Sequence, residues 1–340
     1  MRRKCVIVRR IDALIFAVVA AAIAFCASSA AAAPAAAAAT TPPDKGATAV
    51  ADDYVKQGRA LIRAGDNAAA ITMFSKAIAV EPSDAEAYAA RGDAKANLKD
   101  EKGALADYDE AIVLDPEYEY AYATRCDTRD VMDDDSGAVA DCTKAIALDP
   151  TDGYAWERRG RANYYLNNLT NAEADLSKAI ALNDSDGEAY ADRCNTRREA
   201  QNIDGARTDC TQAVALTPDR PFALMSRGHL EQATGEFAAA ITDLSQCLAK
   251  DSSVTICHFY RGLAYANLGE WAKAKSDYGM FLAADPTDAD ALFNRATAEK
   301  HLGDFKSAIE DAKAALNQYK IDGRTSDAAD AQKLLDSMHG

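Results

Sequence analysis

The chain repeats itself every 34 residues, and this period limits the folds that it can adopt. From position 51 the same pattern begins eight times without insertion or deletion, and the last repeat ends at Asp322. The repeats begin at Ala51, Ala85, Glu119, Gly153, Gly187, Pro221, Thr255 and Ala289. A period of this length is typical of arrays of small supersecondary units, each of which packs only on its neighbours. Below, positions are counted from 1 to 34 within each repeat.

Each repeat has two sets of positions at helical spacing. Positions 4, 8 and 11 fall on one helical face and positions 20, 24 and 27 on another, with a turn near position 15. Position 4 is nearly always bulky, position 8 is usually small, position 20 is alanine in all eight repeats, and position 32 is proline in five. Each repeat is therefore predicted to be a pair of antiparallel helices that approach closely and end before a proline.

These markers resemble the tetratricopeptide repeat family. In the fifth repeat they are Tyr190, Cys194, Ala206 and Pro218 at positions 4, 8, 20 and 32. The resemblance spans residues 51–322 and implies an all-α fold, a right-handed superhelical solenoid of eight helix-turn-helix repeats. It also implies a concave surface lined mainly by the first helix of each repeat.

The N-terminal segment has the layout of a secretory signal peptide. Five basic residues precede or flank an apolar run from Ala13 to Phe25, and a tract of small residues follows. We expect residues 1–33 to be a signal peptide and the Ala/Pro/Thr-rich residues 34–50 to be a linker. An uncleaved membrane anchor is the alternative, because about 20 apolar residues suffice to span a bilayer.

The C-terminal residues 323–340 are predicted to form a capping helix. Ala328, Ala331, Leu334 and Leu335 lie at helical spacing in this segment. Each hairpin of an array leaves an apolar face open for its neighbour, so the last repeat needs such a cover.

The charge of the chain restricts its partners. Without residues 1–33 it has 33 basic and 52 acidic residues, a net charge of about −19. So acidic a surface repels phosphate backbones, and we expect no nucleic acid partner. Contact with a membrane is expected only through the N-terminal segment, if that segment is not cleaved.

Arginine and aspartate occur together in the repeats. Position 7 is arginine and position 23 is aspartate in repeats two to eight, and repeat one lacks both, with Gln57 and Met73. This joint presence and absence predicts a structural ion pair between the two helices of each hairpin, as between Arg193 and Asp209. Arginines that line a groove for an anionic ligand are the alternative.

Six cysteines follow the predicted signal peptide, and all six can be paired. Positions 8 and 24 are both cysteine in repeats three and five, which pairs Cys126 with Cys142 and Cys194 with Cys210. Cys247 and Cys257 are the remaining two and would tie repeat six to repeat seven. Three disulfides, together with an export signal, place the protein in an oxidising compartment, periplasmic or secreted. Buried free thiols are the alternative.

Catalytic and metal-binding patterns are weak. None of the four histidines stands in a recognisable motif with serine or cysteine, and there is no glycine-rich phosphate loop. The acidic stretch around Asp133 lacks the spacing of a calcium-binding loop. We expect a protein that is not an enzyme and carries no cofactor and no metal.

A binding groove is the more promising feature. Several first-helix positions that line the inner wall in the family are apolar, aromatic or basic in repeats four and six to eight. The predicted groove comprises Tyr154, Arg161, Tyr164, Phe222, Met225, Ile256, Phe259, Leu263 and Phe293. Exposed apolar patches mark interaction sites. The alternative is that neighbouring helices cover these residues.

These observations predict an exported scaffold that binds a protein or peptide partner of the cell envelope in its concave groove. A structural subunit of a membrane-tethered assembly, held by an uncleaved N-terminal anchor, is the second hypothesis. Position 5 lacks the lysine on which the carboxylate clamp of chaperone-binding family members depends, so recognition of a chaperone tail is not expected.

Overall fold

A computed structural model describes residues 45–338, and every regular element in this range is an α-helix. The chain divides into two compact units, Met1–Pro150 and Thr151–Gly340. The predicted signal peptide and most of the predicted linker lie outside the described residues. Among the helices from residue 45 onwards, none is both long and apolar enough to cross a membrane.

The first unit contains three helical hairpins. Its helices are α1 Lys45–Arg63, α2 Asn67–Val80, α3 Ala85–Asn97, α4 Glu101–Leu114, α5 Glu119–Val131 and α6 Asp135–Leu148. Helix α1 begins six residues before the first repeat, so residues 45–50 are helical rather than linker. This stretch follows the last proline of the region, so no residue in it lacks the backbone N–H that a helix needs.

The second unit contains five hairpins and one further helix. Its helices are α7 Gly153–Tyr165, α8 Leu169–Leu182, α9 Gly187–Glu199, α10 Ile203–Leu216, α11 Pro221–Ala233, α12 Phe237–Lys250, α13 Ile256–Asn267, α14 Trp271–Leu282, α15 Ala289–His301, α16 Phe305–Ile321 and α17 Thr325–Asp336. Within each unit, successive hairpins pack against one another. The all-α array of stacked hairpins predicted from the period is thus confirmed.

The turn of each hairpin lies where the repeat predicts it. The residue at position 15 has a positive φ in every repeat, from 62° at Asn167 to 86° at Gly235. An aspartate or asparagine at position 16 then caps most of the second helices, as Asp100 does by accepting a hydrogen bond from the amide of Gly103 (3.0 Å). Helix α4 ends at Leu114, two residues before Pro116. Local chemistry therefore sets both ends of the hairpin's second helix.

Positions 8 and 24 face each other inside each hairpin. Where position 24 is large, position 8 is glycine, because a Cβ there would lie 2.6 Å from the Tyr108 ring at Gly92 and 2.7 Å from Leu176 at Gly160. Where both positions are cysteine, the two side chains fill the same space. Small residues at position 8 therefore set the close approach of the two helices.

The last hairpin has alanine at both of these positions, and the capping helix packs there. Ala296, Ala312 and Leu335 of α17 form one buried cluster. The N-terminus of α17 is held by Arg324, whose Nη1 and Nη2 donate to Asp290 at 2.9 and 3.0 Å. The predicted C-terminal capping helix is confirmed.

Candidate functional site

The position-7 arginines are engaged by the position-23 aspartates. In the fifth repeat, Arg193 donates from Nε to Asp209 Oδ2 (2.9 Å) and from Nη2 to Oδ1 (2.7 Å). The same two nitrogens hold an aspartate in each of repeats two to eight. The pairs are Arg91–Asp107, Arg125–Asp141, Arg159–Asp175, Arg193–Asp209, Arg227–Asp243, Arg261–Asp277 and Arg295–Asp311. These arginines thus use Nε and Nη2, the two nitrogens that can bind a carboxylate side by side, for an aspartate of their own hairpin.

Several of these guanidinium groups also reach the preceding hairpin. Arg193 Nη1 donates to Ser177 Oγ (3.1 Å), and Arg261 Nη1 donates to Ser245 Oγ (3.0 Å). The aromatic ring at position 4 lies beside the same group, with Arg193 5.5 Å from the centre of the Tyr190 ring. The arginine ladder is a fastening within and between hairpins, and it presents no free row to an anionic ligand.

Position 11 lies beside the position-23 aspartate, and the residue type at position 11 changes along the chain from hydrogen-bond donors to glutamate. In repeats two to five it is a donor, for example Arg197, whose Nη1 donates to Asp209 Oδ2 (2.8 Å). In repeats six and eight it is glutamate, and one oxygen of Glu231 and one of Glu299 are buried without a hydrogen-bond partner. Burial, and then the nearby Asp243, raise the pKa of Glu231 to about 7.

The six cysteines lie in the three predicted pairs at distances that suit a disulfide. The Cα–Cα distances are 5.5 Å for Cys126 and Cys142, 5.3 Å for Cys194 and Cys210, and 6.8 Å for Cys247 and Cys257. All six side chains are fully buried. The first two pairs join the helices of one hairpin, and the third joins α12 to the start of α13.

The apolar part of the predicted groove lies on the first helices α11, α13 and α15. Met225, Ile256, Leu263 and Phe293 are all partly exposed on these helices. Phe293 also approaches the Tyr319 ring, with 6.4 Å between ring centres. Helices α11 and α13, and likewise α13 and α15, contact each other directly, and the repeat frame puts these four side chains at positions 2, 5 and 9 of the first helices.

Phe259 does not belong to this exposed face. Its side chain is only 7% exposed and packs among Tyr260, Tyr278 and Phe281, with ring centres 5.3 to 6.1 Å away. Position 5 is also buried in repeats one to five, at Val55, Ala89, Ala123, Glu157 and Ala191. The prediction that Phe259 anchors a ligand is therefore corrected: it is a core residue.

The polar end of the predicted groove lies on α7 and α11. Tyr154 is 37% exposed, and Tyr164 is partly buried with its ring 5.4 Å from that of Tyr165. Arg161 donates from Nη2 to Glu157 Oε1 (2.7 Å) and from Nε to Asp192 Oδ2 (2.8 Å). Its guanidinium also lies 5.9 Å from the ring of Phe222. Arg161 and Phe222, from two different first helices, therefore lie beside each other.

A family model matches the sequence directly. The family model described as tetratricopeptide repeat matches residues 55–119, 225–279 and 259–328. The chain belongs to the tetratricopeptide repeat family. No curated protein matches its sequence.

Solved structures show the same fold at low sequence identity. The chain is similar to a chain of the APC/C hetero-tetramer Cut9–Hcn1, with 16% identity and a TM-score of 0.69 over 84% of this chain. It spans 55% of the length of that chain. A tetratricopeptide repeat protein from Parabacteroides merdae has 16% identity and a TM-score of 0.58, over 77% of this chain and 99% of its own. PilF of Pseudomonas aeruginosa has 17% identity and a TM-score of 0.54, over 61% and 95%.

This tetratricopeptide repeat protein also contains polar groups that the sequence did not single out. Arg198 on α9 and His229 on α11 are 7% and 4% exposed. Asn195, one turn before Arg198, donates from Nδ2 to Ser226 Oγ (2.9 Å) between the same two helices. The repeat frame places position 12 at the inner surface, so the burial of an arginine there could not be predicted from the repeat pattern.

Proposed function

We propose that this protein is an exported, non-catalytic scaffold that binds a peptide or protein segment of the cell envelope along the first helices of its second unit. The observation that carries the proposal is the row of partly exposed apolar side chains on α11, α13 and α15, namely Met225, Ile256, Leu263 and Phe293. Apolar side chains that remain partly exposed on one face are the kind of surface that partners cover. Arg161 and Phe222 extend this face with a cationic and an aromatic group.

Export is supported by the cysteines and the predicted signal peptide. Three buried cysteine pairs at disulfide distance favour an oxidising compartment, since cytosolic thiols are kept reduced. A rigid array suits recognition of an extended segment, because little backbone ordering accompanies binding. The function proposed is therefore assembly or positioning of a partner rather than chemistry on it.

A pair of matched variants tests the binding face. Met225→Asp places a charge on α11 within the proposed face, and Met280→Asp places the same charge on α14, where Met280 is 55% exposed. Capture from envelope extract should lose its bound proteins with Met225→Asp and keep them with Met280→Asp. A photo-crosslinking amino acid at each of these positions should mark the partner only from position 225. Equal capture by both variants would exclude this face.

The second candidate function is a structural subunit of an assembly tethered to a membrane by an uncleaved N-terminal segment. The apolar run from Ala13 to Phe25 favours it, because this run continues into further small residues. The mass of the protein purified from its native cell decides between the two. A mature chain that begins near Ala33 supports the exported scaffold, and an intact N-terminus supports the tethered subunit.

A further inference from the structure

Arg198 is a buried cation with an unused binding edge. It lies at position 12 of α9 and is 7% exposed. Its Nη1 lies 2.9 Å from Glu199 Oε1, but Nε and Nη2 are buried and have no hydrogen-bond partner. A buried donor without a partner costs free energy, and more so on a charged group. The folded protein therefore retains two strong donors that its own side chains leave unsatisfied.

The same edge binds carboxylates elsewhere in this chain. Nε and Nη2 are the two nitrogens with which each position-7 arginine holds its aspartate, as Arg193 holds Asp209. Arg161 uses the same two nitrogens to bind Asp192 and Glu157. Two parallel N–H groups match the two oxygens of a carboxylate, which makes this pair strong and directional.

The ring of His229 lies close enough to Arg198 to be affected by its charge. His229 lies 31 residues further along, on α11, and Tyr260 a further 31 residues on, on α13, with the His229 and Tyr260 rings stacked 3.8 Å apart. Burial, and then the Arg198 charge, hold the pKa of His229 well below its usual value, so the ring is neutral. Glu199 is the acidic group that pairs with Arg198, and it occupies Nη1 alone.

We propose that Arg198 binds a carboxylate of the segment recognised by the second unit, with Nε and Nη2 donating to its two oxygens. The proposal rests on the proposed function and specifies the chemistry of the ligand, an apolar segment that carries a carboxylate. Because both donors lie beneath the surface, the guanidinium must turn outward to meet the ligand; this breaks no bond at Nε or Nη2, and the contact between Nη1 and Glu199 is the one that it can lose. Glu199 repels any anion, but it repels the doubly charged phosphate more strongly than a singly charged carboxylate, whose two oxygens also match the two parallel N–H groups.

Small probes test the proposal in the absence of the natural partner. Two blocked dipeptides carry one carboxylate each: N-acetyl-Phe-Glu-amide on a side chain and N-acetyl-Phe-Leu at its free end. N-acetyl-Phe-Gln-amide has none, and inorganic phosphate supplies another anion. In nitrogen-15-labelled mature protein, the Nε–H signal of Arg198, assigned by its loss in Arg198→Gln, should shift saturably with the carboxylate peptides. The Gln peptide should bind about tenfold more weakly or worse.

Charge-matched variants separate a specific site from general attraction. Arg198→Gln should weaken binding of the carboxylate peptides about tenfold or more. Arg220→Gln removes the same charge from a side chain that is 68% exposed in the same unit, and it should leave binding unchanged. The stronger of the two carboxylate peptides identifies the source as a side chain or a chain end. Equal affinity in Arg198→Gln, no saturable shift, or an equal response to phosphate would overturn the proposal.

Two further readouts keep the result interpretable. Arg198→Met should melt at the same or a higher temperature, because it removes two unsatisfied donors; a large loss would show that Arg198 is structural and would refute the proposal. The Met225 methyl signal reports on the apolar face. If the Met225 signal shifts with the Gln peptide while Arg198 does not respond to any carboxylate, the proposed apolar binding face is supported and the carboxylate site is refuted. If only the Arg198 signal responds, the carboxylate site is supported and the apolar binding face is refuted.

Discussion

At the scale of single residues, this chain separates its charges into those that fasten the fold and those that remain available. Asp209 is 1% exposed and receives hydrogen bonds from both Arg193 and Arg197, so its charge is matched within the hairpin. Arg198, the next residue, has the opposite arrangement, with two donors unmatched. Adjacent arginines on one helix can therefore have unrelated roles, because one turns toward its own hairpin and the other toward the neighbouring first helix.

The glutamate at position 11 of repeat six predicts a pH-dependent stability. The folded-state pKa of Glu231 is raised from 4.5 to about 7, so its contribution to stability is present below about pH 4.5 and is lost as the pH rises toward 7. Relative to wild type, Glu231→Gln should therefore gain melting temperature between pH 5 and pH 8. Glu310→Gln, at an exposed site on α16, should follow the wild-type profile. Parallel profiles for Glu231→Gln and wild type would contradict the prediction.

Much of this residue-level structure could be predicted from the sequence, and the reason is the repeat itself. Arginine at position 7 and aspartate at position 23 are either both present or both absent in a repeat, which predicts their contact from the sequence alone. Phe259 and Arg198 were not predictable in the same way. Phe259 is covered by aromatic rings of its own hairpin, and Arg198 lies between its own helix and the neighbouring first helix. These surroundings occur once in the array, so no repetition reveals them.

At the scale of the helical hairpin, close packing depends on a match between positions 8 and 24. Gly160 faces Leu176 and Gly92 faces Tyr108, whereas Ala296 and Ala312 leave room that Leu335 of the capping helix helps to fill. Different residue pairs at positions 8 and 24 therefore fill the same space between the two helices of a hairpin. The small residue at position 8 and the capping helix were both evident from the sequence, but the sequence did not indicate that Leu335 is the residue of that helix that packs on Ala296 and Ala312.

This match predicts opposite effects for two glycine substitutions. Gly160→Ala puts a methyl group 2.7 Å from Leu176 Cγ and 3.3 Å from the carbonyl oxygen of Ala172, so it should destabilise the protein by about 1–3 kcal/mol. Gly279→Ala, inside α14, meets only the tip of Arg295 at 3.9 Å and should stabilise it by up to about 1 kcal/mol. Urea unfolding measures both. A neutral result at position 160 would show that the two helices can separate without cost.

At the scale of the whole molecule, the predicted features of the mature chain are its acidity and its covalent ties. The net charge is −15 for the full sequence and about −19 without residues 1–33, and a charge of this size favours solubility. The cysteine pairs occur in both units, Cys126 with Cys142 in the first and the other two in the second. The two ties within a hairpin, Cys126–Cys142 and Cys194–Cys210, each close a loop of about 15 residues and are expected to add roughly 3 kcal/mol when oxidised.

A designed replacement tests whether a cysteine pair takes the place of the glycine–leucine pair. Cys194→Gly with Cys210→Leu recreates the arrangement of Gly160 and Leu176 in the preceding hairpin. Under reducing conditions this double variant should melt at or above the temperature of the reduced wild type. The control, Cys194→Ser with Cys210→Ser, should melt below it, because two hydroxyl groups would be buried there. Oxidised wild type should be the most stable, and non-reducing peptide mapping should recover all three pairs.

The two hairpins closed by cysteine pairs respond differently to a cut in the chain. Their turns, at Asp133 and Gln201, lie between the paired cysteines, while the turns at Asn167 and Gly235 lie outside any such loop. With the bridges formed, a protease that nicks the chain at residue 133 or 201 leaves both fragments joined as one molecule. A nick at residue 167 or 235 leaves no bond across it, so only packing would hold the pieces together.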